Sequence, residues 1–295
     1  MAPFHLAHLS DPHLSPLPRP RLMELAGKRV FGYLNWRRNR HRFHRRDVLD
    51  ALIADIKARE PDHIAITGDI VNLALEAEFA PARAWLDNIG PPEQVTIIPG
   101  NHDRYVRATA RRFATAFAPF LRPDQADAPE GFPSLRRRGP VALISLSSAI
   151  PTAPLMATGR VGAAQLAALE PMLENLRDEE AFRILLIHHP LRSTAAHKRL
   201  SDAAALCALI RRHGVELILH GHDHRHATSW IETGHGRIPV VGVPSASAIA
   251  HGRIPAAAYN LFAIDRAASG WRCDHSVHGF CDGPQIRTLA EQRLT

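Results

Sequence analysis

Short apolar runs alternate with stretches whose apolar residues recur every three or four positions, and the alternation runs through most of the 295-residue chain. Residues 4–10, 63–67, 95–98, 141–146, 183–187 and 215–219 read as short buried strands. Between them, helices are predicted over about 75–89, 104–118, 163–176 and 201–213. A further helix begins at Asp47, placed as its cap, with Val48, Leu49, Leu52, Ile53 and Ile56 at helical spacing. Such alternation is the layout of an α/β sheet, with ligands expected along the edge where the strands end. After residue 225 the pattern changes. Residues 227–233, 238–243, 257–265 and 271–278 read as strands with no helix between them, and Gly234-His235-Gly236-Arg237 reads as a hairpin turn. The C-terminal half thus adds an antiparallel sheet. The fold class expected is α/β, two stacked mixed β-sheets flanked by helices.

One stretch departs from this scheme. Residues 14–46 are rich in proline and then arginine, and read as a loop followed by a short amphipathic helix or hairpin. The expected domain therefore runs from 1 to 283 with an insert at about 14–46, leaving 284–295 as a C-terminal tail. Within the insert, residues 19–46 hold ten Lys/Arg and one acid, a net of +9. The whole chain is +7, so the remainder carries −2. The basicity is local. Phe31, Tyr33, Leu34 and Trp36 are interleaved with the arginines, which suits docking on an anionic membrane surface. The same composition could track a nucleic-acid backbone, a reading placed second because the rest of the chain shows no extended basic groove.

Composition excludes more than it assigns. Hydrophobic content of 45% and charge of 22% are ordinary for a folded protein. Cys207, Cys273 and Cys281 are odd in number and lack CxxC spacing, which argues against a disulfide framework or a zinc knuckle. With no basic start or apolar core of a signal peptide, the expected location is cytoplasmic, at the inner membrane face if the insert docks there.

The candidate chemistry lies at strand ends. The run 217–219 stops in His220-Gly221-His222-Asp223-His224, three imidazoles within five residues. Four earlier strand ends offer Asp11/His13, Asp69, Asn101/His102 and His188. Carboxylate, imidazole and amide oxygen together suit a borderline divalent ion such as Mn, Fe or Zn. So many ligands exceed the need of one ion and suit two with a shared carboxylate. His189 is expected to face away from this edge, and His251 to sit on the surface.

In order, Asp11-Pro12-His13, Gly68-Asp69, Gly100-Asn101-His102-Asp103, His188 and Gly221-His222-Asp223-His224 resemble the motif set of the calcineurin-like metallophosphoesterases. That resemblance implies the αββα sandwich of the family and two divalent cations. One would be held by Asp11, His13, Asp69 and His224, the other by Asp69, Asn101, His188 and His222. His102 matches the catalytic histidine, and Asp103 would orient it. The implied reaction is hydrolysis of a phosphodiester or pyrophosphate bond, and the basic insert favours a lipid headgroup or lipid-linked nucleotide as substrate. A cyclic-nucleotide phosphodiesterase, a nuclease and a non-catalytic metal-binding scaffold are the alternatives. The protein-phosphatase motif G-D-x-x-D-R-G is not matched, since the chain reads Gly68-Asp69-Ile70-Val71-Asn72-Leu73-Ala74.

Overall fold

The computed structural model describes residues 2–125, 131–193, 195–234, 236–268, 270–281 and 283–295. Two six-stranded sheets stack face to face. The first contains β1 (Phe4–Leu9), β2 (His63–Ile66), β3 (Val95–Ile97), β10 (Ala258–Ala267), β11 (Gly270–Phe280) and β12 (Ile286–Arg293), in the order β12-β11-β10-β1-β2-β3. The second contains β4 (Ser134–Arg138), β5 (Val141–Ser145), β6 (Phe182–Leu186), β7 (Leu217–His220), β8 (Ala227–Thr233) and β9 (Gly236–Gly242), in the order β4-β5-β6-β7-β9-β8.

Strand alternation builds four layers. Leu6, Ala65, Ile184, Leu186, Leu217 and Leu219 point between the sheets, with Phe262 and Ile264 from β10. Their neighbours Ala7, Leu9, Ile64 and Ile66 point outward, beneath Leu49, Leu52, Phe79, Trp85 and Phe113. Those five come from α3 (Arg46–Ala58), α4 (Glu76–Ile89) and α5 (Thr109–Leu121). On the opposite face Ile144, Leu185 and Ile218 lie under Leu169, Leu173, Leu206 and Ile210 of α6 (Ala163–Asn175) and α7 (Ala203–His213). Successive side chains of one strand therefore feed two different cores, which is why the strands are apolar on both faces.

Several expectations need correction. The C-terminal strands form no sheet of their own: β9 joins β7 in parallel and brings the β8–β9 hairpin to the second sheet, while β10 joins β1 antiparallel and brings the β10–β11–β12 meander to the first. Residues 284–295, expected as a tail, carry β12, the outer strand of the first sheet, paired with β11 from Asp274–Arg293 to Phe280–Ile286. β4 went unpredicted because Arg136, Arg137 and Arg138 mask its alternation; Arg136 is nonetheless buried, donating to the Val95 and Pro92 carbonyls. Asp47 does not cap α3. Residues 43–45 pair with 247–249 and deliver the chain into the helix at Arg46, leaving Asp47 in the first turn, bonded by Arg45.

The insert is helical. It runs through α1 (Lys28–Asn35), a π-turn over Trp36–Arg40 and a short turn α2 (His41–Phe43). Trp36 is buried and Tyr33 packs on the core, so neither is available to a membrane interface; Phe31 and Leu34 are exposed.

Candidate metal centre

All five strand ends meet at one edge of the stacked sheets. Asp11 and His13 follow β1, Asp69 follows β2, Asn101 and His102 follow β3, His188 follows β6, and His222 and His224 follow β7. Asp11, His13, Asp69, Asn101, His188 and His222 are buried, while His102 and His224 are partly open.

The backbone is bent hard to bring them together. Positive φ angles of 53° at Asp11, 41° at His13, 56° at Asp69, 70° at His222 and 52° at His224 are unusual for residues with a Cβ. Each costs roughly 1–2 kcal/mol, and loop hydrogen bonds hold the bends. The Asp11 amide donates to Gly68 O at 2.9 Å and the His13 amide to Asp69 O at 3.0 Å. Strain of this kind gathers where side-chain placement matters for function. Two glycines clear space for the carboxylates: a Cβ on Gly100 would strike the Asp69 carboxylate, and one on Gly221 the Asp11 carboxylate.

His224 Nε2 lies 3.0 Å from Asp11 Oδ1, and His13 Nε2 lies 3.9 Å from Asp11 Oδ1 and 3.8 Å from Asp69 Oδ2. His188 Nε2 lies 3.4 Å from Asp69 Oδ2 and 3.2 Å from Asn101 Oδ1. His222 Nδ1 is 3.3 Å from His188 Nε2. Asp69 thus stands between a group built on Asp11, His13 and His224 and another built on Asn101, His188 and His222.

The fit to cations shows in what lacks a partner. Both nitrogens of His13 and Nε2 of His222 are buried with no hydrogen-bond partner among the described residues. Buried polar atoms are normally satisfied, and His13 Nε2, unpaired beside the Asp11 and Asp69 carboxylates, is what a metal ligand leaves behind. His188 has its tautomer fixed, with Nδ1 donating to Thr67 O at 2.7 Å and Nε2 turned to the site.

Charge agrees. Burial opposes ionisation of Asp11, but His224 and His188 hold its carboxyl well below the usual range. Asp69 behaves alike: burial opposes, His188 and His102 win, and its pKa falls. Burial also disfavours a charged His188, yet Asp69 pushes it up to about 9. Burial and then Arg40 keep His13 well below its ordinary value, and burial and then His189 do so for His222. The site holds carboxylates and mostly neutral imidazoles, the protonation states that metal binding needs.

His102 stands at the cavity side of Asp69, its amide donating to Asp69 Oδ1 at 2.7 Å. Its ring Nδ1 donates to Asn72 O at 2.5 Å, and Nε2 accepts from Arg40 Nη1 at 3.0 Å. Burial and then Arg40 push its pKa down to about 4. Asp103 does not orient the ring. It accepts from the Val71 and Gly100 amides at 3.0 and 2.8 Å, bracing the loops instead, and the Asn72 carbonyl does the orienting. His189 does not face away either: it is buried, bonded to Ser148 Oγ at 2.8 Å, with its ring 4.3 Å from that of His222. His220 is buried with Nδ1 on Gly221 O at 3.0 Å, so it is no part of the ligand set. His251 is exposed as expected, but it also stacks on Phe43 at 3.7 Å and lines the cavity.

Sequence reading missed the groups the insert contributes. Arg40, Phe43 and His44 line the cavity of about 410 Å³ over the ligands, together with Lys198 and Ile254. In the sequence they sit in a run of basic residues, with nothing to separate an inward arginine from a solvated one. The π-turn that ends at Arg40 is the structural sign, since such turns recur at functional sites.

Residues 4–226 match the family model described as calcineurin-like phosphoesterase. Over 200 residues the chain is 27% identical to a "Probable cyclic nucleotide phosphodiesterase" of Synechococcus, covering 66% of this chain and 69% of that protein. Among solved structures, a dimetal phosphatase from Danio rerio aligns over 100% of this chain and 99% of its own, with TM-score 0.63 and 12% identity. Purple acid phosphatase PPD1 from yellow lupin seeds aligns over 97% of this chain and 52% of its own, with TM-score 0.60 and 14% identity. At those identities the structural likeness speaks for the fold.

Proposed function

The chain belongs to the calcineurin-like phosphoesterase family and is a hydrolytic phosphoesterase, and from that premise we propose that it cleaves phosphodiesters of amphiphilic molecules at an anionic membrane surface. Asp11, His13, Asp69 and His224 would hold one divalent cation and Asp69, Asn101, His188 and His222 the other. Bound there, the pair supplies activation of the water nucleophile and neutralisation of phosphoryl charge.

The chain's own groups set up the rest. Arg40 reaches over the site and offers a forked donor to a non-bridging phosphate oxygen. An anionic phosphate drawing Arg40 away from His102 frees Nε2 to take up a proton from solvent and pass it to the departing alkoxide. The Asn72 carbonyl keeps the ring from turning while this happens.

One observation carries the substrate class. The cavity over the ligands continues, through Arg40, Asn101, His102, Ala157 and Lys198, into a second cleft of about 560 Å³. That cleft is lined by Phe31, Leu34, Leu155 and Met156 together with Lys28, Arg38, Asn39 and His197. Phe31, Leu34 and Leu155 in its lining are exposed, as are Leu22 and Met23 elsewhere on the insert. Arg19, Arg21, Arg37, Arg38 and Arg42 are exposed too and form no ion pair among the described residues. A phosphate at the ligands with an apolar arm along the cleft matches this sequence of chemistries. No helix among the described residues is long and apolar enough to cross a membrane, so contact would be at the surface. The second reading, a cyclic-nucleotide phosphodiesterase, is favoured by the Synechococcus relative.

A substrate panel with Mn²⁺ separates them: glycerophosphodiesters and UDP-linked acyl sugars in anionic vesicles against cyclic AMP and DNA. Turnover confined to cyclic AMP would overturn the amphiphile reading. Two further results are expected. Replacing Arg40 by Gln should lower kcat/KM by about 10–100-fold, from the loss of a charged hydrogen bond worth roughly 1.5–3 kcal/mol, with metal content unchanged. Replacing Arg37, Arg38 and Arg42 by Gln should weaken binding to anionic vesicles by about 100-fold, at about 1 kcal/mol each, while a small soluble diester is cleaved as before. Arg40 is left out of that set because it faces the site. Binding to duplex DNA with a steep salt dependence, and none to vesicles, would favour the nucleic-acid alternative.

A further inference from the structure

His44, the residue that closes the insert, has no place among the seven strand-end groups, yet it stands among them. Its ring is 4.6 Å from that of His13, edge-on, and 5.9 Å from that of His224. One ligand atom from each of His13, His44 and His224 lies within 4.8 Å of the others. Burial leaves only 6% of His44 exposed.

The ring is held on every side. Ser247 Oγ lies 2.9 Å from Nδ1 and Ser245 Oγ 3.4 Å. Ser245 in turn donates to the Asp11 carbonyl at 2.6 Å, so the hydroxyls tie His44 to a strand-end ligand. Trp36 lies parallel behind the imidazole, 6.4 Å away at 10°. The backbone is pinned as well: His44 bridges Ala248, its carbonyl accepts from Ser15 Oγ at 2.9 Å, and the Arg45 amide donates to Ser247 O at 2.8 Å. With Nδ1 engaged by a hydroxyl, Nε2 is the nitrogen left to ligate. An imidazole with one nitrogen fixed by an outer partner and the other free is how proteins present histidine to a metal.

We propose that His44 is an additional ligand, through Nε2, of the cation held by Asp11, His13 and His224. This rests on the two-cation reading above. It makes the insert part of the metal site: folding residues 28–44 over the sheet edge would complete the coordination of one ion and leave the other unchanged. Burial and then Arg40 hold His44 well below its ordinary pKa, which supports a neutral ligand.

The test is metal affinity. Chelator-competition titrations with Mn²⁺ on wild type, His44→Gln and Ser247→Ala count the ions and give a dissociation constant for each. Wild type should bind two. In His44→Gln one of the two sites should weaken by about 100-fold and the other stay within error, and Ser247→Ala should weaken the same site by about tenfold. Ser247→Ala keeps the imidazole and changes one hydroxyl, so it reports even if the first variant folds poorly. If wild type binds two ions and both variants bind them with wild-type constants, His44 is not a ligand. A rise in KM with unchanged ion binding would then give it to the substrate phosphate instead. Wild type binding fewer than two ions overturns the two-cation reading, and this assignment with it.

Discussion

Replacing Asp69 by Ala is expected to abolish binding of both cations and lower hydrolysis by roughly 10³–10⁴-fold. The carboxylate lies within 3.8 Å of His13 and 3.4 Å of His188, one member of each ligand group, so its loss opens both at once. Cations that neutralise phosphoryl charge contribute several kcal/mol to the transition state, about 5 kcal/mol being roughly 4,000-fold at about 1.4 kcal/mol per decade. Asp69→Asn gives a sharper version. It keeps the acceptor for the His102 amide, bonded at 2.7 Å, and removes only the charge. Wild type saturated at 100 times the dissociation constant gains about 2.7 kcal/mol of stability per ion. That metal-induced rise in Tm should vanish in Asp69→Asn. Two equivalents of metal retained by either variant would mean that Asp69 is not the shared ligand.

The second large effect belongs to His102. Its replacement by Ala should leave metal content intact, because the ring hydrogen-bonds the Asn72 carbonyl and Arg40 and touches the ligand set only by edge-on packing 4.9 Å from the His13 ring. Loss of general-acid help is worth about 10²–10⁴-fold. It should fall on diesters with alkyl leaving groups and spare p-nitrophenyl esters, whose anion departs without a proton. Comparing kcat on the two substrate types reads this directly. Equal losses on both would leave the ring only a positioning role, shared with Arg40. Rescue of alkyl-ester cleavage by added imidazole would point the other way, to a missing proton donor.

What the sequence made legible follows from where the information lies. Strands apolar on both faces, such as Leu217-Ile218-Leu219, announce a buried sheet because each side chain serves a core. Polar residues placed just after them announce a sheet edge with chemistry, since each motif is local and needs only its own strand to be read. The insert was legible in charge and not in direction. Arg29 and Arg40 turn inward, Arg29 onto the Leu73 carbonyl at 3.0 Å, whereas Arg37 and Arg38 turn out. No periodicity distinguishes them, because the π-turn shifts the helix register between Trp36 and Arg40. Asp103 and His189 were misplaced for a related reason. Each lies next to a strand-end site residue, Asp103 beside His102 and His189 beside His188, and which way a neighbour faces depends on loop bends that a motif does not encode. β12, an edge strand exposed along nearly its whole length from Arg287 to Arg293, carries no apolar alternation to read.

Two cations held by residues from both sheets would make this edge a phosphodiesterase. The most direct test is reconstitution of chelator-stripped protein with Mn²⁺, following hydrolysis of bis-p-nitrophenyl phosphate and bound metal together. Stripped protein should be inactive, and activity should return in step with the second of two equivalents. Full activity in metal-free protein, or a plateau reached at one equivalent, would contradict the account.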